Sequence, residues 1–258
     1  MKPKKSPPRH SVDISEEAGV RYLHFGSDWV QGAMRIARPW SLELEYTREM
    51  LAALLLRPLS HWPRNALLIG LGAGSLAKFI YRYFPDCRTT VVEINPQVEF
   101  VARQYFKLPD DPLRLNVRIA CGADVMLESG EAFDLILVDG FDPDARAGVL
   151  DTEPFYQACR ARLSERGLCS INLLGRSKGF AASVTRINTA FEGRSVVFPP
   201  CDSGNAIVFA TGGDIVDTSL DGLKNRAEQL KKDTRLNLLP TLARLQSLGA
   251  LTDSRLRI

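Results

Sequence analysis

Three times between Ala66 and Leu127 a short apolar run gives way to apolar positions at helical spacing. These are Ala66 to Ile69 then Ser75 to Tyr83, Thr89 to Glu93 then Pro96 to Phe106, and Leu115 to Ala120 then Asp124 to Leu127. Such alternation of strand and helix is accommodated by a parallel sheet whose crossover helices cover both faces. A fourth strand is expected at Leu135 to Val138, a helix from Glu153 to Leu163, and a fifth strand at Gly167 to Leu173. A helix over Ala181 to Phe191 then leads to two closing strands, Ser195 to Phe198 and Ala206 to Ala210.

The expectation is an α/β chain with a seven-stranded, mostly parallel sheet, the methyltransferase-like Rossmann fold. Ahead of it, Val20 to Phe25 alternates, Gly26-Ser27-Asp28 signals a turn and Trp29-Val30-Gln31 begins a second run, which predicts a small N-terminal β-hairpin subdomain over 11–45. From Ser41 to Leu56 the apolar residues Leu42, Tyr46, Met50 and Leu54 predict a helix with Ser41 as N-cap, closed by Pro58 and Pro63. The Rossmann-like catalytic domain is expected over 46–212. Residues 213–258 read as a helical extension, a solvated helix or pair on the sheet edge.

Composition narrows the function classes. The chain has 258 residues, 45% hydrophobic and 24% charged, enough for one main domain with its own core. Five cysteines without a C-x-x-C spacing argue for free thiols and a cytoplasmic location rather than a disulfide framework. Three histidines share no metal-ligand spacing, so no metal is expected. The first ten residues are basic and Pro-rich without an apolar segment behind them, and read as a disordered tail. No apolar run approaches membrane-spanning length. A net charge of +3 with dispersed Lys and Arg gives no nucleic-acid footprint.

The segment Leu67-Leu68-Ile69-Gly70-Leu71-Gly72-Ala73-Gly74-Ser75 places a G-x-G-x-G turn between a strand and a helix, where glycine lets the backbone approach a ligand. Glu93 closes the next strand, where a carboxylate bonds ribose hydroxyls. The third glycine comes one residue early for the dinucleotide pattern, which weakens a nicotinamide reading against an adenosyl-sulfonium one. Asp124, in Cys121-Gly122-Ala123-Asp124, is placed to bind an adenine amino group, to cap its helix, or both.

The apolar strand Leu135 to Val138 ends in Asp139-Gly140-Phe141-Asp142-Pro143. Ligands of open parallel sheets bind outside the carboxyl ends of the strands. Paired carboxylates there point to chemistry on a cation, against the plainer reading of an Asx-type loop.

Together, Gly70 to Ser75, Glu93, Gly122-Ala123-Asp124, Asp139 to Pro143 and Glu153-Pro154-Phe155-Tyr156 resemble the spermidine synthase (polyamine aminopropyltransferase) family, as a divergent, short, bacterial-type member. Val30-Gln31 and Ser203-Gly204-Asn205 extend the resemblance over most of 11–210. It implies transfer of an aminopropyl group from decarboxylated S-adenosylmethionine to a diamine such as putrescine, giving spermidine and methylthioadenosine. Carried over, Asp139 is the base and Asp142 assists amine binding. Gly70, Gly72, Gly74, Gln31, Glu93 (ribose) and Asp124 (adenine) hold the nucleoside. The resemblance implies no resident cofactor, only small-molecule amine and nucleoside substrates, and a homodimer or homotetramer.

Four positions depart from the family pattern. Ala73 stands where the loop usually carries an aspartate to the donor's amino group. Thr47, Arg48 and Ala53 replace the usual residues of the entry helix, although Tyr46, Glu49 and Met50 keep it recognisable. Arg48 either faces and repels a cationic substrate or points elsewhere. Two alternatives follow: an S-adenosylmethionine-dependent methyltransferase, or a catalytically silent nucleoside- or polyamine-binding homologue.

Overall fold

The computed structural model describes residues 11–26, 29–142, 144, 146–201, 203–247 and 251–258. The N-terminal tail, the turn at Ser27-Asp28 and Pro143 lie outside the described residues. The N-terminal unit is a three-stranded antiparallel sheet of β1 (Asp13–Glu17), β2 (Val20–His24) and β3 (Val30–Arg35). A hairpin is expected from sequence, and the strand beyond it is β1. The sequence of β1, Asp-Ile-Ser-Glu-Glu, is charged and largely exposed, as befits a protected edge.

The helix expected over Ser41 to Leu56 is shorter. It comprises α1 (Glu45–Met50) and a following 3-10 turn, Leu51–Leu55. Leu44, not Ser41, sits at the N-cap and makes no side-chain cap bond. Arg48 Nη1 donates to the carbonyls of Leu42 and Glu43, both at 2.9 Å, and holds that segment outside the helix. Ser170 Oγ donates to the Met50 carbonyl at 3.0 Å, where the backbone tightens. Residues Leu51 to Leu56 are buried on every side, so no polar face favours a continued amphipathic helix.

The chain then runs β4 (Asn65–Ile69), α2 (Ser75–Tyr83), β5 (Arg88–Glu93), α3 (Pro96–Tyr105), β6 (Leu115–Ile119), α4 (Gly122–Met126), β7 (Phe133–Val138), α5 (Glu153–Ala161), β8 (Leu163–Leu174), α6 (Phe180–Ala190), β9 (Ser195–Val197) and β10 (Asn205–Thr211). The seven strands order as β6-β5-β4-β7-β8-β10-β9. β10 runs antiparallel to β8 and to β9, and the other pairs are parallel. This is the expected sheet with its closing hairpin. Asp124 is not the N-cap of α4: Cys121 is, and Asp124 falls in the first turn, where an acidic side chain suits the helix dipole.

Side chains alternate across the central strands. Leu68, Leu135, Leu137 and Phe209 face a core shared with α1, α2, α3 and the C-terminal helices. Ile69, Ile136, Val138 and Ile171 face α4, α5 and α6. The C-terminal stretch is not a solvated appendage. β11 (Asp217–Ser219) pairs with β12 (Arg255–Arg257), and α7 (Leu220–Thr234) and α8 (Leu239–Ser247) lie between them in sequence. Leu223, Leu230, Leu242 and Leu256 enter the main core. The buried Glu49 accepts bonds from Thr241 Oγ1 at 2.8 Å and Arg244 Nη2 at 2.5 Å, which ties α8 to α1. No helix of the described residues is long and apolar enough to cross a membrane.

Candidate active site

The strand order reverses between β4 and β7, and the crevice outside a sheet opens where neighbouring connections diverge. At that point the main-chain nitrogen of Asp139 donates to the Ile69 carbonyl at 2.8 Å, and that of Gly70 to Val92 at 2.9 Å. Gly70 has φ +97°, and a Cβ there would stand 2.1 Å from the Asp139 carbonyl oxygen, so no other residue lets the loop leave β4 beside β7.

A narrow cleft forms over this junction. Gln31, Tyr46, Thr47, Gly70, Gly72, Ala73, Ser75 and Asp139 are among its lining residues. The N-terminal sheet supplies its roof, since Ser75 Oγ donates to the Ala33 carbonyl at 3.2 Å. The glycine loop is also tied to β5. Glu93, 7% exposed, accepts from Leu71 N at 3.0 Å through Oε2 and from Asn95 N at 2.9 Å through Oε1. Burial raises the Glu93 carboxyl above its ordinary value, and the backbone donors oppose that rise.

Asp139 is held from two sides. Asn172 Nδ2 on β8 donates to its Oδ1 at 2.8 Å, and the Tyr46 hydroxyl on α1 bonds the same carboxyl group. Burial raises the Asp139 carboxyl, and these two donors pull it back. The Tyr46 phenol is pushed well up by burial, then by the Asp139 charge, so it remains a donor. The site thus holds a carboxylate more basic than a surface aspartate, kept in place by groups that favour its charge.

Of the other residues singled out from the sequence, Thr47 and Ala73 line the cleft, whereas Asp142, Asp124, Gly74 and Arg48 are not among its lining residues. Asp142 is exposed in the loop after β7. Its Oδ1 accepts from Asp144 N at 2.9 Å and Arg146 N at 2.8 Å, as an Asx-type turn does, and it is not among the cleft's lining residues. Asp124 is exposed on α4. Gly74, with φ +69°, opens α2 as its N-cap. Arg48 points away from the cleft to Leu42 and Glu43, and Thr47 donates to the Leu44 carbonyl at 2.6 Å. Ala73 is 3% exposed. Among the described residues no cluster of His, Cys, Asp or Glu could hold a metal ion, and all five cysteines are free.

Asn172 escaped the sequence reading. Its signal is an asparagine near the end of the apolar run Leu168 to Leu173, where a buried amide needs partners.

The spermine/spermidine synthase domain model matches residues 45–173, from the first residue of α1 to the residue after Asn172. The polyamine aminopropyltransferase of Neisseria meningitidis serogroup A is 38% identical over 92% of this chain and 89% of its own. The chain belongs to the spermine/spermidine synthase family. A crystal structure of spermidine synthase in complex with the transition-state analogue AdoDATO superimposes with a TM-score of 0.63 at 25% identity, covering 86% of this chain and 79% of that one. Human methyltransferase-like protein 13, in complex with SAH, gives 0.66 at 25% identity, over 74% and 93% of the two chains. The same fold therefore also occurs in a methyltransferase-like protein crystallised with SAH.

Proposed function

We infer that this protein is a polyamine aminopropyltransferase, moving an aminopropyl group from decarboxylated S-adenosylmethionine to a diamine such as putrescine and releasing methylthioadenosine. The observation that carries the reading is the Asp139 carboxylate, raised by burial and fixed by Tyr46 and Asn172, opening into the cleft of the glycine loop.

An alkyl amine with a pKa near about 10.4 is protonated at neutral pH and has no lone pair to attack with. Asp139 binds the ammonium and accepts its proton. The freed nitrogen attacks the propyl carbon next to the sulfonium, the carbon–sulfur bond breaks, and its electron pair stays on sulfur as the neutral thioether. Positive charge moves from sulfur to nitrogen, and once Asp139 passes its proton to solvent the restored carboxylate faces the new secondary ammonium. Alignment of nitrogen, carbon and sulfur supplies much of the remaining acceleration.

In this reading Gln31, Gly70, Gly72, Gly74 and Glu93 receive the nucleoside, with Glu93 exchanging a backbone donor for ribose hydroxyls. Asp124 reaches the adenine and Asp142 leaves its own loop to assist the amine. The sulfonium donor is a co-substrate, and no resident cofactor is required. Five free cysteines favour a reducing, cytoplasmic setting, and family likeness favours a homodimer or homotetramer.

A methyltransferase reading is kept by one observation, Ala73 in place of the aspartate that engages the decarboxylated donor. One experiment separates the two. The protein is incubated with decarboxylated S-adenosylmethionine or S-adenosylmethionine and a diamine panel, and products are read by mass spectrometry. Methylthioadenosine with aminopropylated amine is the expected result; a methylated product formed from S-adenosylmethionine alone overturns it.

A further inference from the structure

A line of side-chain hydrogen bonds runs from the surface turn before β10 to Asp139. Ser203 Oγ donates to Asn205 Oδ1 at 2.9 Å, Asn205 Nδ2 to Asn172 Oδ1 at 2.9 Å, and Asn172 Nδ2 to Asp139 Oδ1 at 2.8 Å. Sheet register explains how residues so far apart in sequence meet. Val138 pairs with Ile171, so Asp139 and Asn172 are the next residues along adjacent parallel strands. Asn172 pairs with Ile207 on β10, and Asn205 lies two residues away on the same face, within diagonal reach.

The polarity of this line is forced. An ionised carboxylate only accepts, so Asn172 must present its NH₂ to Asp139 and its carbonyl to Asn205. Asn205 must then offer its NH₂ to Asn172, which leaves its own carbonyl for the Ser203 hydroxyl. Every donor along the line points towards Asp139, and reversing any one amide sets oxygen against oxygen further in. The outer end is anchored in a tight turn: Cys201 N donates to the Asn205 carbonyl at 2.9 Å, Gly204 N to Cys201 at 2.8 Å, and Cys201 Sγ lies 2.9 Å from Ser203 Oγ.

We propose that Asn172 and Asn205, backed by Ser203, are positioning residues for the reaction, a one-way donor relay that orients the Asp139 carboxylate and stabilises its charged form. The proposal rests on the reading of Asp139 as the base. The relay offsets the cost of enclosing a carboxylate, and hydrogen bonds polarised in one direction reinforce one another. The other neighbouring charges are engaged elsewhere. Tyr46 faces Asp139 as a phenol, Arg48 is bound to Leu42 and Glu43, Glu49 to Thr241 and Arg244, and Glu93 to Leu71 and Asn95.

The test uses the full chain with ¹³C-labelled aspartate, reading the Asp139 carboxyl titration by NMR in wild type, Asn172→Leu, Asn205→Leu and Ser203→Ala. Melting temperature and methylthioadenosine affinity are measured alongside. Loss of a hydrogen bond to a charged group should move the Asp139 midpoint up by about one pH unit in Asn172→Leu, less in Asn205→Leu and least in Ser203→Ala. In steady-state assays kcat falls and its acid limb moves up by the same amount, while KM for the nucleoside donor holds.

A midpoint unmoved in Asn205→Leu overturns the relay. Where that variant fails to fold, Ser203→Ala on the exposed turn decides, and an unmoved midpoint there is equally fatal. Wild-type protein that turns over no amine would refute aminopropyl transfer, and the titration would still judge the relay.

Discussion

The main-chain nitrogen of Leu71 lies 3.0 Å from Oε2 of Glu93, so the carboxylate assigned to the ribose also holds the glycine loop down onto the end of β5. If Glu93 receives the ribose as proposed, one side chain couples loop shape to nucleoside binding. Glu93→Gln keeps the volume and turns one acceptor into a donor, which then faces either Leu71 N–H or Asn95 N–H. Two charge-assisted bonds are weakened, and methylthioadenosine affinity should fall about 10- to 100-fold. Isothermal titration calorimetry checks this. Affinity within twofold of wild type would separate Glu93 from the nucleoside site.

Asp139→Asn should lower kcat by roughly 10²- to 10⁴-fold, the usual worth of a positioned base, with nucleoside affinity retained. The same change should raise stability at neutral pH. A carboxyl whose folded pKa lies above the ordinary 3.8 favours its protonated form in the native state. The native state then binds more protons than the unfolded chain between 3.8 and the raised value, and stability falls as pH rises through that window. The melting advantage of Asp139→Asn is fully present above the folded pKa and gone once pH falls below the unfolded one. Thermal melts from acid to neutral pH read it directly, and an advantage independent of pH would contradict the sign.

β3 crosses the glycine loop so closely that a Cβ on Gly32 would stand 2.7 Å from both the Cβ and the nitrogen of Ala73. Those are backbone and short side-chain atoms, so the strand or the loop must move. Gly32→Ala should weaken methylthioadenosine binding by about tenfold or more, with the melting temperature lowered by several degrees. Unchanged affinity would mean that loop and roof adapt independently. The packing also gives Ala73 a steric reason: the space over position 73 belongs to β3.

What the sequence displayed and what it concealed follow one physical division. The strand–helix alternation, the glycine loop, and Glu93 and Asp139 at strand ends were legible because period and punctuation are local. The three-stranded roof was half legible, since Asp13 to Glu17 has no apolar face to reveal it. Asn172 and Asn205 carry no local signature: they matter through β7-β8-β10 adjacency, which joins residues 139, 172 and 205 across the closing hairpin. Arg48 is the converse case. A cation on the entry helix raised the question of repelling an amine, and two backbone carbonyls of the preceding turn answered it.

Lys78 lies on α2, directly behind the glycine loop, and is 1% exposed. Its Nζ donates to the Phe106 carbonyl at 2.7 Å, closing the end of α3 against α2. Burial lowers its pKa from 10.5 to about 7. Between those values the unfolded chain carries a proton on this amine that the native state lacks, so this group makes stability rise with pH from about 7 to 10.5. Below about 7 the native state bears a buried ammonium and its cost is fully present. Lys78→Met keeps the apolar stem, removes the charge and gives up the bond to Phe106. Its urea midpoint should therefore exceed wild type in mildly acidic buffer, with the gap narrowing steadily as pH rises. Parallel pH profiles of the two proteins would show instead that Lys78 stays charged in the fold, with solvent reaching its Nζ.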